Sequence, residues 1–137
     1  MAAKIYRKAE LRWPEGKLPY GADPDACIQM AHHELRLLSQ FDHPNIIKPI
    51  EAFEDEHKIF FIIDDLQGNT LNEKILLFEE NLSEPEVAQY TAFLVSIVKY
   101  LHNKKVILRN LRPEGIWIDG TDVKLLDLSL ALEEEEV

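Results

Sequence analysis

A single cysteine, Cys27, among 137 residues excludes an internal disulfide and any cysteine-rich metal site. That usage fits a reducing compartment. Glycine is scarce as well: the five glycines lie scattered, and none builds a Gly-x-Gly-x-x-Gly loop of the kind that cradles phosphates. Basic residues are few against acidic ones, 15 to 25, for a formal net charge of −10. This balance opposes a nucleic-acid partner, whose phosphates need a basic face, and it opposes docking to an anionic membrane. Long apolar runs are missing too. Those at 59–63 and 92–95 are far too short to span a bilayer, and no secretory leader is visible at the N-terminus. A cytoplasmic, intracellular location is therefore expected. What is present is 46% hydrophobic, the composition of a globular domain or a piece of one, at a length that can bury a core.

Taken in order, residues 1–7 give a weak strand signal. Residues 8–25 contain Pro14, Gly16, Pro19, Gly21 and Pro24, which punctuate a loop long enough to behave as an insertion. From Asp25, a suitable N-cap, Ile28, Ala31, Leu35, Leu38 and Phe41 recur at three- and four-residue steps and predict an amphipathic helix. His32 and His33 read as its surface, and His43, before Pro44, as a turn residue. Residues 46–54 and 58–64 read as strands joined by Asp55-Glu56-His57, and a short helix is expected at 71–79. Ser83 followed by Glu86 makes a capping box that opens a long helix. Ala88, Phe93, Ile97 and Leu101 face inward on it, and Val87, Leu94 and Val98 widen that face. Four consecutive glutamates, Glu133 to Glu136, read as a solvated and frayed tail.

The most informative stretch is YLHNKKVILRNLRPEGIWID at 100–119, with VKLLDLS at 123–129. An apolar helix end enters a basic turn, then Arg109-Asn110-Leu111-Arg112-Pro113-Glu114, then an apolar pair of strands. This resembles a eukaryotic protein kinase, in which a helix, His-Arg-Asp-Leu-Lys-Pro-Glu-Asn, strand, turn, strand and Asp-Phe-Gly follow in the same order. His43-Pro44-Asn45, Gly68, Tyr100-Leu101-His102 and Asp127 extend the ordered match, which runs from Ala2 to about Leu130.

The resemblance implies an α+β, partial protein-kinase-like fold: a small antiparallel sheet with the C-helix, followed by the helical start of the large lobe. Residues 1–66 would be an N-lobe lacking its first two strands, 67–130 part of the C-lobe, and 131–137 an acidic tail. Lys4, in Ala2-Ala3-Lys4, would be the strand lysine that holds nucleotide phosphates, and Glu34 the C-helix glutamate that pairs with it. Ile63 and Trp117 would line the nucleotide pocket, with residues 64–66 as the hinge, and Asp127 would be the remaining metal ligand. Leu38, Leu108 and Leu128 would stack as an apolar column.

The departures matter as much. Asn110 stands where the family places the aspartate that orients the substrate hydroxyl. Gly115 replaces the metal-binding asparagine, Arg112 replaces a lysine, and Arg109 would have no phosphorylated segment to bind. The loop is thus degenerate, with no catalytic residue assigned, and Trp117 either plugs the adenine slot or is an ordinary core or surface aromatic of its strand. The resulting expectation is not an enzyme but a pseudokinase, a scaffold or allosteric regulator with no cofactor beyond residual ATP and magnesium. Its partner would be a protein or a second copy, met at the strand edge from Met1 to Arg7. The alternative is a fragment of a Ser/Thr protein kinase, or an atypical kinase, that binds ATP through Lys4, Glu34 and Asp127.

Overall fold

The computed structural model describes residues 1–11, 23, 25–76 and 81–136. Most of the loop expected at 8–25, and the end of the helix expected at 71–79, lie outside these residues. Alternation of side chains fixes the first sheet. Strand β1 (Ala2–Arg7) turns Ala2, Lys4 and Tyr6 inward and Ala3, Ile5 and Arg7 to solvent. It passes into a helical turn, α1 (Lys8–Leu11), where only loop was expected. Helix α2 (Ala26–Gln40) buries Ile28, Ala31, Glu34, Leu37 and Leu38. The predicted stripe is therefore correct at three of its helical positions, while Leu35 is only half-buried and Leu37 takes a central place.

The two strands that follow, β2 (Glu51–Glu54) and β3 (Lys58–Ile63), make the expected hairpin. β2 is shorter than expected. Pro49 has no N–H to donate to a ladder, and the upstream Ile46 and Ile47 turn instead to Leu125, Ile46 by a parallel bridge and Ile47 by donating its N–H to the Leu125 carbonyl at 3.1 Å. The sheet order is β1-β3-β2, all antiparallel, with Lys4 opposite Phe61, so β1 is an edge strand among the described residues.

The second half opens with β4 (Asn69–Thr70) and α3 (Leu71–Leu76). Gly68 precedes them at φ +95°, and a Cβ there would lie 2.1 Å from the Ile118 carbonyl oxygen, so glycine is required twice over. Helix α4 (Glu84–Asn103) begins at the expected capping box: the Glu86 N–H donates to Ser83 Oγ and the Ser83 N–H to Glu86 Oε2. Its buried residues are Tyr90, Ile97 and Leu101, so the expected inward face holds along its C-terminal half, whereas Val87 and Ala88 in its first turns are exposed and Tyr90 takes their place.

Then come β5 (Val106–Ile107), a 3-10 turn at Pro113–Gly115, β6 (Ile116–Asp119), β7 (Asp122–Leu125) and β8 (Leu132–Glu133). Among the described residues these strands form the sheets β4-β6-β7 and β5-β8. The acidic tail is not frayed at its start. β8 pairs with β5, Arg36 donates to Glu133 at 2.6 Å, Lys105 pairs with Glu134 at 3.1 Å, and the Glu134 N–H donates to the Lys105 carbonyl. Opposite charge and a free strand edge outweigh repulsion within the block.

The larger buried cluster joins α2 and β3 to the second half, with Leu38, Leu108 and Leu128 all in it as the apolar column requires. This is a mixed helix and antiparallel-sheet fold, the α+β architecture expected. Among the described residues no helix is long and apolar enough to cross a membrane.

Candidate functional site

Segments from both halves of the chain meet at one cavity of about 550 Å³, within the size range of small-molecule sites. β1 contributes Lys4, β3 and the chain after it Ile63 and Leu66, β6 Trp117, and the chain after β7 Asp127.

The cavity is organised around a buried carboxylate. Glu34 sits on the inner face of α2 with no exposed surface, and an ionised carboxylate can be held there only by donors. It has three. Lys4 Nζ donates to Oε1 at 2.7 Å, the Leu128 N–H donates to the same oxygen at 2.9 Å, and the Tyr6 hydroxyl donates to Oε2 at 2.5 Å. Lys4 Nζ also donates to the Leu126 carbonyl at 3.2 Å and keeps a quarter of its side chain exposed. Burial and the neighbouring Glu34 charge drive the Tyr6 phenol far above its ordinary pKa, so it stays a donor. The predicted pair of Lys4 and Glu34 is thus formed across 30 residues of sequence.

Asp127 is the second anchor. Its Oδ1 accepts the Ser129 N–H at 2.9 Å, and its Oδ2 accepts from Asn110 Nδ2 at 3.1 Å and Arg112 Nη2 at 3.4 Å. Burial pushes its pKa up, but the bonds from Ser129, the Lys4 charge and the Arg112 bond outweigh that and hold it below the usual aspartate value. Gly115 packs against it: a Cβ at 115 would lie 3.2 Å from the Asp127 Cβ, tighter than ordinary contact. The Gly115 carbonyl accepts the Leu126 N–H at 2.8 Å. No group of three or more His, Cys, Asp or Glu side chains gathers among the described residues. A divalent cation at Asp127 therefore fits only if a nucleotide's phosphate oxygens complete its shell, as is usual for magnesium.

One expectation changes here. Trp117 does not plug the slot. Its indole N–H donates to the Gln67 carbonyl at 2.6 Å, which holds the ring along the wall and leaves the cavity open. Arg109 stands apart from the cavity at φ 59°, donating from Nε to the Leu130 carbonyl at 2.7 Å. Sequence reasoning also missed Tyr6 as a partner of Glu34. The signal was present: Tyr6 is two residues beyond Lys4, and on a strand that spacing places it on the same face.

Comparison with known proteins agrees with this geometry. Residues 17–136 match the protein kinase domain family. The chain is 30% identical over 133 residues to cyclin-dependent kinase F-3 of Oryza sativa, covering 97% of this chain and 28% of that protein. It is 36% identical over 106 residues to the serine/threonine-protein kinase AtPK1/AtPK6 of Arabidopsis thaliana, covering 75% of this chain and 22% of that one. It is 32% identical over 108 residues to calcium-dependent protein kinase 5 of Plasmodium berghei, covering 76% and 19%. The chain thus spans less than a third of each of these relatives.

These relatives overturn the expectation that the chain is not an enzyme, because each is named a protein kinase. One leg of that expectation was the missing glycine hairpin. It carries no weight in a chain that spans so small a part of its relatives. The buried ion pair, the anchored aspartate and the match over residues 17–136 all lead to one assignment: the chain belongs to the protein kinase domain family.

Proposed function

We propose that this chain is the ATP-binding part of a Ser/Thr protein kinase domain. One observation carries the reading: Lys4, held by a fully buried Glu34, lines the same cavity as Asp127. A cation set by a buried carboxylate suits the α- and β-phosphates, and Asp127 suits a nucleotide-borne magnesium ion. Ile63, Leu66, Ala2 and Trp117 supply apolar walls for a base. Phosphoryl transfer rests mainly on positioning and charge stabilisation. Asn110 is neutral, yet its side-chain carbonyl still offers a hydroxyl an acceptor while its NH₂ group bonds Asp127. When magnesium is bound, it neutralises developing charge on the phosphates; Lys4 holds those phosphates in place.

A thermal-shift titration with Mg-ATP tests the reading, since a ligand of the folded state raises the midpoint. The expected result is a saturable rise that Lys4→Met abolishes, with phosphate transfer from labelled ATP to a peptide mixture lost in Asp127→Ala. No rise at millimolar Mg-ATP overturns nucleotide binding. A rise without any transfer overturns the enzymatic part alone.

A further inference from the structure

Glu34 is paired more fully than its role as the partner of one lysine requires. An ionised carboxylate offers about four lone-pair positions on two oxygens. Here both of the oxygens are occupied: β1 sends a donor to each, and the chain after β7 adds a third. Oε1 takes Lys4 Nζ and the Leu128 N–H, while Oε2 takes the Tyr6 hydroxyl at 2.5 Å, the length of a charge-assisted O–H to carboxylate bond.

Tyr6 is itself fixed. Its ring meets Phe61 edge-on, with centroids 5.6 Å apart and planes at 69°, and Lys4 Nζ lies 5.1 Å from its centroid. Its side chain also lines the cavity. The consequence falls on Lys4. With Oε2 taken, the ammonium meets Glu34 at one oxygen only. Its second hydrogen goes to the Leu126 carbonyl at 3.2 Å, and the third has no hydrogen-bond acceptor among the described residues.

We propose that Tyr6 is a positioning residue of the phosphate subsite: by occupying Glu34 Oε2 it confines Lys4 to one carboxylate oxygen and keeps a lysine hydrogen for a ligand phosphate. Without the hydroxyl, Oε2 is a buried acceptor with no donor, an arrangement that costs free energy. The nearest remaining cation is Lys4, which then bridges both oxygens and withdraws from the cleft. The proposal rests on the nucleotide reading above. It adds a role for a residue that reading does not use.

The test separates phosphate from base. Adenosine and Mg-ATP are titrated by calorimetry into the wild-type chain, Tyr6→Phe, Lys4→Met and the double variant. Tyr6→Phe keeps the ring against Phe61 and removes only the hydroxyl. The expected result is a weakening of Mg-ATP by about tenfold, one charge-assisted bond's worth of affinity, with adenosine unchanged within about twofold. In the Lys4→Met background, Tyr6→Phe adds no further loss. Equal weakening of both ligands marks a merely structural tyrosine and overturns the proposal, as does an unmoved Mg-ATP affinity. If Tyr6→Phe does not fold, Tyr6→Leu is measured by the same ratio of the two affinities. If the wild type binds neither ligand, the nucleotide reading falls and this proposal falls with it. If it binds both and the ratio stays put in the tyrosine variants, only the role of Tyr6 is lost.

Discussion

Replacing Lys4 by methionine removes one charge from the centre of the cleft and keeps the unbranched stem that packs there. The cost follows from what Glu34 retains. Abandoning a buried carboxylate altogether costs about 3–5 kcal/mol, whereas losing one hydrogen bond to a charged group costs about 1.5–3. Glu34 is wholly buried, but the Tyr6 hydroxyl and the Leu128 N–H stay on it when Lys4 goes. Lys4 is also a quarter exposed, so water has already weakened its share of the pair. The loss should therefore lie near the lower range, about 2 kcal/mol, or about 8 °C in Tm for a chain of this size. Urea unfolding of the ligand-free wild type and Lys4→Met, followed by tryptophan fluorescence, measures it. A loss above about 4 kcal/mol would mean that Tyr6 and Leu128 give Glu34 no support. A loss below about 0.5 kcal/mol is the signature of an exposed ion pair, and would refute the buried geometry.

Gly68→Ala sets a Cβ 2.1 Å from a backbone oxygen at φ +95°, whereas Gly120→Ala, at φ +58°, meets nothing within 4 Å. The first should cost more than about 3 kcal/mol and the second about 1 kcal/mol, and equal urea midpoints for the two variants would contradict the close approach of Gly68 to Ile118. His43 titrates below its ordinary value of 6.5 because burial and then the Lys124 charge disfavour its cation, and its Nδ1 already accepts the Asn45 N–H at 3.0 Å. The unfolded chain therefore binds a proton near pH 6.5 that the native chain refuses, so stability is complete above that pH and falls as the pH drops through it. Midpoints measured from pH 8 to 5 should show the slope, and Lys124→Met should shrink it; a flat profile in the wild type would refute the assignment.

Much of this arrangement was legible because local chemistry decided it. The Ser83 and Glu86 box needs only a three-residue spacing, and the alternation of β3 needs only its own pleat. The pairing of Lys4 with Glu34 was legible through the motif resemblance, since no local rule links positions 30 residues apart. The misreadings share another cause. Trp117 was assigned by the volume of its ring, but its N–H sought the Gln67 carbonyl, and that single bond turned the ring along the wall. The glutamate tail was read by its own charge, whereas Arg36 and Lys105, far away in sequence, decided its path. On α4 the expected inward residues Ile97 and Leu101 are buried, but at its first turns Tyr90, not Ala88 or Val87, fills the space against Ile116, Ile118 and Val123. In each case a polar or steric partner outside the reading window overruled the local pattern.

Asn110 acquires a physical account from the same kind of partner. Its NH₂ group lies 3.1 Å from Asp127 Oδ2. A carboxylate at position 110 would set two like charges at that separation, and one of them would have to take up a proton or a cation to remain. The amide instead donates, and Arg112 adds a cation 3.4 Å from the same oxygen. Gly115 lies close beside Asp127, where an added Cβ would come within 3.2 Å of the Asp127 Cβ and ask it to shift slightly. Asn110 and Arg112 thus donate to Asp127 from within the chain, and Gly115 packs against its Cβ. It follows that a ligand cation must compete with Arg112 and Asn110 for Oδ2. Both compete from exposed or half-exposed positions, so the competition is screened by water, and on the nucleotide reading proposed above the carboxylate would stay available to a nucleotide that brings its own metal.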